Sequence, residues 1–91
     1  MKSGENYSSD HEAVFGQWRG AEVGVWTCEP GEYPDTEADE VFVVLEGSAT
    51  VQFIEPALPA IEIAPGSVVR LEEGMQTVWT VRETLRKVYL S

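Results

Sequence analysis

PGEYPDTEADEVFVVLEG, residues 30 to 47, is the stretch whose reading decides the fold. It opens on a Pro-Gly turn, crosses an acidic run that reads as a loop, and enters Val41–Leu45. Those five apolar residues are rich in β-branched side chains, the composition of a well-covered strand. Gly47 then offers a position that tolerates positive φ. Ser48 to Ile54 alternates polar with apolar residues, so it reads as the returning strand of a hairpin with Glu46 and Gly47 as its loop. That register sets Phe42 opposite Val51 and Glu40 opposite Phe53. It also puts Glu40, Phe42 and Val44 on one buried face with Ala49, Val51 and Phe53. One carboxylate, Glu40, is thereby aimed inward at the mouth of an apolar surface.

On either side the chain is punctuated at short intervals. Residues 1–12 are polar and read as a loose tail. Ala13 to Trp18 reads as a short edge strand, and Ala21 to Cys28 as a strand between Gly20 and Pro30-Gly31. Residues 55–59 hold two prolines and read as a loop, with Ala60 to Ile63 the strand behind it. Ala64-Pro65-Gly66 and Glu72-Glu73-Gly74 are turns around a strand at Ser67 to Leu71. Met75 to Val81, a turn at Arg82 to Thr84, and Leu85 to Leu90 complete the series. No segment carries a 3.6-residue apolar period. Seven or eight short strands make one all-β domain over residues 13–91, a sandwich or a barrel.

A chain of 91 residues buries a thin core, and 43% hydrophobic residues suffice to build one. Sixteen acidic residues against six basic ones give a net charge of −10. That charge repels a nucleic-acid backbone and an anionic membrane, so neither is expected as a partner. The single cysteine, Cys28, rules out an intramolecular disulfide and a cysteine-based zinc site, and reads as a small buried hydrophobe. The N-terminal residues carry no apolar signal segment, so a cytoplasmic protein is expected.

Five stretches in order, GVWTCEPGEY, DEVFVVLEG, APGSVVRL, TVWTV and LRKVYLS, resemble the small cupins related to ureidoglycine aminohydrolase and the ethanolamine-utilisation cupin. Glu40 and Gly47 keep the six-residue spacing that ends the first cupin motif. Gly66 and Gly74 keep the frame of the second, with Glu72 in the proline place. The resemblance covers the chain from about Trp18 onward and implies a double-stranded β-helix, or jelly-roll, barrel. Metal-binding cupins carry two histidines before the glutamate and a third in the second motif. Here those places fall around Pro34 to Thr36 and at Thr77, and the only histidine, His11, lies in the polar N-terminal stretch. Asp35, Glu37 and Asp39 with Glu40 are the remaining oxygen donors for a hard cation. Strand alternation turns Asp39 away from Glu40, and no resident metal or cofactor is expected.

The resemblance implies that the Thr77 position looks into the barrel mouth with Glu40, and strand parity adds Trp79. It also implies that Lys87 and Tyr89 on the last strand point inward. The apolarity of Val88 and Leu90 argues for the opposite phase. Trp26 and Trp79 read either as core packing or as walls around a small ligand. Glu40 reads either as a rim salt bridge to Lys87 or Arg70, or as the polar centre of a pocket. The ligand-binding candidates are therefore Trp26, Glu40, Phe42, Thr77, Trp79, Lys87 and Tyr89, with Glu40 and Lys87 as the candidate catalytic pair. The leading expectation is a metal-free cupin holding a small polar metabolite. The alternatives are an aminohydrolase- or isomerase-like enzyme, by acid–base chemistry or with a divalent metal, and a non-catalytic sensor or interaction module. Val41, Val43 and Leu45 form an apolar row on the face away from Glu40, from which a homodimer is expected unless Val14 and Phe15 cover it.

Overall fold

The computed structural model describes residues 10 to 91, and the expectation of a loose tail over residues 1–9 lies outside the described residues. The described chain is seven strands: β1 (Asp10–Trp18), β2 (Ala21–Cys28), β3 (Gly31–Thr36), β4 (Glu40–Glu55), β5 (Leu58–Ile63), β6 (Val68–Leu71) and β7 (Gln76–Leu90). β1 begins at Asp10, so Asp10, His11 and Glu12 belong to the sheet. All pairings are antiparallel, in the order β1-β2-β7-β4-β5, with β3 added to β7 and β6 to β4.

β4 and β7 are long because each serves two layers. The first half of β4 pairs with β6 and with the last residues of β7, as in Phe42 with Val69 and Tyr89. Its second half pairs with β5 and with the first residues of β7, as in Val51 with Ile61 and Trp79. One layer is therefore β1, β2, the end of β7, the start of β4, and β6. The other is β3, the start of β7, the end of β4, and β5. This is the all-β cupin jelly roll.

The hairpin expected at Glu46-Gly47 does not form. β4 runs on through Gly47 instead of folding back, and Phe42 faces Val69 and Tyr89, not Val51. The expected face survives, with Phe42, Val44, Ala49 and Val51 all buried, because the register slips between Val44 and Ala49 and shifts the inward parity. Gly47 is the corner, at φ 92°, where an added Cβ would sit 2.2 Å from the Thr84 carbonyl oxygen. The two long strands cross that closely only because one of them has no side chain there. β7 likewise does not break at Arg82 to Thr84; it bends there and continues to Leu90.

Two further stretches read as loops are strands. Gly31–Thr36 is an edge strand on β7 despite Pro34, which is tolerated because only one side of an edge strand is paired. β5 begins at Leu58, two residues ahead of its expected start, and is also an edge strand, which accommodates Pro59. The turns at Gly66 and Gly74 form as read, with φ of 93° and 89° and closing hydrogen bonds Ser67 N–H to Ala64 O and Met75 N–H to Glu72 O. The core between the layers includes Trp26, Cys28, Phe42, Val44, Val51, Ile63, Leu71, Trp79, Val81, Leu85 and Tyr89.

Candidate functional site

Alternation on three strands brings the candidate residues to the centre of the barrel. β2 turns Gly24, Trp26 and Cys28 inward, and the first half of β4 turns Glu40, Phe42 and Val44 inward. β7 turns Thr77 and Trp79 inward before its bend, and Lys87 and Tyr89 after it. The phase set by the resemblance holds on the last strand: Lys87 and Tyr89 are 1% and 3% exposed, and Val88 and Leu90 lie on the other face. A lysine with so little exposure needs a compensating environment.

That environment is three rings and a carboxylate. Lys87 Nζ lies 4.1 Å from the centroid of Phe42, 5.0 Å from Trp26 and 5.2 Å from Trp79. Trp26 is its in-register neighbour across the sheet, which puts the ring beside the Lys87 stem. The walls pack on one another, Trp26 edge-on to Trp79 at 5.9 Å and Phe42 tilted on Trp79 at 5.7 Å. The ammonium donates to Glu40 Oε2, with both side chains inaccessible to solvent. Glu40 is thus deeper than a barrel mouth, and its partner is Lys87; Arg70 is exposed and lies 3.9 Å from Glu72. Burial draws the Lys87 amine down, to about 7, against the upward pull of the Glu37, Asp35 and Glu12 carboxyls.

Glu37 completes this end of the interior. Its Oε2 accepts from the Thr77 hydroxyl at 2.7 Å and from the Trp79 indole N–H at 2.9 Å. The loop that carries it is pinned by Glu37 N–H to Met75 O and by Gly74 N–H to Glu37 O. Asp35, beside Thr77 in the ladder, is half-buried; burial and the nearby Glu37 carboxyl push it up to about 7. Cys28 is fully buried, which raises its thiol to about 11, and it has no part in the polar cluster.

Tyr89 belongs to a second cluster. Its hydroxyl meets Glu12 Oε2 and, at 2.8 Å, Glu22 Oε2; burial first and then these two carboxylates push its pKa up, well above the usual phenol range. The phenol lies over Gly24, where a Cβ would come within 2.7 Å of the hydroxyl oxygen. Trp26 is tied on the same side, its indole N–H donating to Asp10 Oδ2 at 2.9 Å. The sequence reading missed Asp10, Glu12 and Glu22 in these roles. Glu22 shares the inward parity of Gly24 and Trp26, a signal that was present. Asp10 and Glu12 lay in a stretch read as a tail.

The donors present do not fit a transition metal. Thr77 occupies a histidine place and spends its hydroxyl on Glu37, and Glu40 is held against an ammonium that repels a cation. His11 is exposed on β1, and among the described residues no three His, Cys, Asp or Glu side chains converge as a metal-binding group.

The jelly roll, with Glu40 and Gly47 at the first-motif spacing, is that of a cupin. The chain belongs to the family described as the EutQ-like cupin domain, whose model matches residues 16–89. Solved structures of the same fold include a protein of unknown function from Rhizobium leguminosarum, 19% identical, TM-score 0.78, covering 93% of this chain and 82% of that one. Another protein of unknown function, from Acidithiobacillus ferrooxidans, is 23% identical with a TM-score of 0.78, covering 91% and 78%. The EutQ protein of Clostridium difficile is 13% identical with a TM-score of 0.74, covering 89% of this chain and 65% of its own. No protein of curated function matches the chain.

Proposed function

We propose that this cupin binds a small polar metabolite at the Lys87–Glu40 pair, without a metal, and exchanges protons with it. The observation that carries the reading is an ammonium boxed by Trp26, Phe42 and Trp79 against a buried carboxylate. A fold stabilised only by packing gains little from burying such a pair, because desolvation of two ions offsets their attraction. Thr77 and Glu37 add hydrogen-bonding groups next to the box, and Tyr89 lines the same interior. Thermal unfolding against a panel of small amides, amines and aldehydes tests the reading. A raised Tm that disappears in the double variant Glu40→Gln/Lys87→Met supports it. No shift with any compound, together with a native mass spectrum free of bound small molecules, leaves the pair as scaffolding in a non-catalytic module.

The same reading includes a homodimer. Val41, Val43, Leu45 and Val68 are 42%, 37%, 46% and 68% exposed. They continue through in-register neighbours, Val68 to Val43 to Val88 to Val25, into an apolar row across four strands of one layer. Val14 and Phe15 are not its cover, since both sit on β1 with 54% and 73% exposure. A second copy of this face supplies an apolar surface of the same kind. Light scattering behind a sizing column is expected to give twice 10.1 kDa, and a monomer at micromolar concentration rejects the dimer.

A further inference from the structure

We propose that Lys87 is an imine-forming amine, whose Nζ, boxed by three aromatic rings and touching the Glu40 carboxyl, condenses with a small neutral aldehyde. The inference deepens the binding reading above and rests on it. Two proton arrangements are open to the pair: ammonium with carboxylate, or amine with carboxylic acid. Removal from water disfavours both charges of the first arrangement. The second places a nucleophile and a general acid in contact, and the depressed amine of Lys87 is consistent with its being populated near neutral pH.

The step balances within these two side chains. The Nζ lone pair forms the C–N bond, the carbonyl π pair moves to oxygen, and that oxygen takes the Glu40 proton. The Glu40 carboxylate then removes one proton from nitrogen and returns it to the new hydroxyl. Water leaves and the C=N bond closes as a protonated imine. One aldehyde and one amine give one imine and one water, with no oxidant or reductant. The iminium inherits the place of the ammonium, against the same ring faces and with Glu40 as its counter-ion.

The surroundings choose among carbonyl compounds. The Glu37 carboxyl, held beside the box by Thr77 and Trp79, disfavours an anionic keto acid, so the carbonyl is neutral. Lys87 is only 1% exposed, so a carbonyl that reaches Nζ must pass the Trp26, Phe42 and Trp79 rings, which favours a small one.

Propanal with cyanoborohydride, followed by peptide mapping, is the test. The chain has two lysines, Lys2 and Lys87, so the modified amines are separable. At pH 7 Lys87 is expected to be propylated faster than Lys2, with no adduct from pyruvate. In Glu40→Gln the rate is expected to fall about 100-fold, the contribution of one positioned acid–base group. The parent measurement needs no variant, so misfolding of Glu40→Gln does not remove the test. A lysine that is merely buried would react more slowly than Lys2, or only after unfolding, and that result overturns the proposal. Propanamide, which matches propanal in size without condensing, separates the two readings by its quenching of tryptophan fluorescence. Quenching with Lys87 unmodified ends the imine and keeps the binding site; neither signal ends both.

Discussion

The two polar clusters inside this barrel are built on opposite principles. Around Lys87 four donors meet three carboxylates, so every donor has an acceptor: Lys87 on Glu40, Thr77 and Trp79 together on Glu37, Trp26 on Asp10. Around Tyr89 a single hydroxyl serves Glu12 and Glu22, and one hydrogen reaches only one oxygen at a time. The first cluster straddles the two layers and is sealed by indole and phenyl rings. The second lies between β1, β2 and β7, its two glutamates only half-buried. The contrast separates what desolvation does from what charge does. In the sealed cluster an unmatched charge is costly because no water reaches it. In the open one, water and solvent protons relieve the imbalance.

The sealed cluster should therefore give the largest effect. Lys87→Met removes the ammonium and leaves Glu40 buried without it, a change expected to cost roughly 3–5 kcal/mol of stability. Adding Glu40→Gln should restore most of that loss, because methionine and glutamine fill similar volumes without net charge. Urea unfolding of parent, single and double variants measures it as a thermodynamic cycle. Additive single effects would mean that the two side chains do not depend on one another, and the contrast between the clusters would collapse.

How much of this was legible in the residues depends on which signal each element carries. The inward set Glu40, Phe42, Val44, Ala49, Val51 followed from alternation and was right even though the hairpin behind it was not. Alternation reports faces, and a glycine between two alternating runs marks either a reversal or a corner. Only the partner strand decides, and that partner, β7, lies some forty residues away in sequence, with Thr84 against Gly47. β3 was hidden because Pro34 and its acidic neighbours are poor strand formers, and pairing with β7 overrides that preference. Lys87 and Tyr89 needed the family resemblance, since their strand presents valine and leucine to the other face. Asp10, Glu12 and Glu22 were hidden for a related reason. An acidic residue near the start of a strand reads as solvated until a buried phenol or indole is known to lie beneath it.

The open cluster should respond less, and in a pH-dependent way. Tyr89→Phe keeps the ring over Gly24 and removes only the hydroxyl that bridges Glu12 and Glu22. The loss is expected to be about 1–3 kcal/mol at pH 7, the cost of removing one donor from partly buried acceptors. It should be smaller than the Lys87→Met effect because both glutamates are only half-buried. Alkali should then narrow the gap. The raised Tyr89 phenol keeps its proton where an unfolded tyrosine gives it up, so above the ordinary phenol range the parent loses stability that the phenylalanine variant does not. Urea unfolding at pH 7 and at about pH 10.5 reads both effects. A deficit unchanged between the two would mean that the hydroxyl acts through packing alone. A deficit as large as that of Lys87→Met would mean that this cluster is as dry as the other, and that the difference between them is one of geometry, not of water.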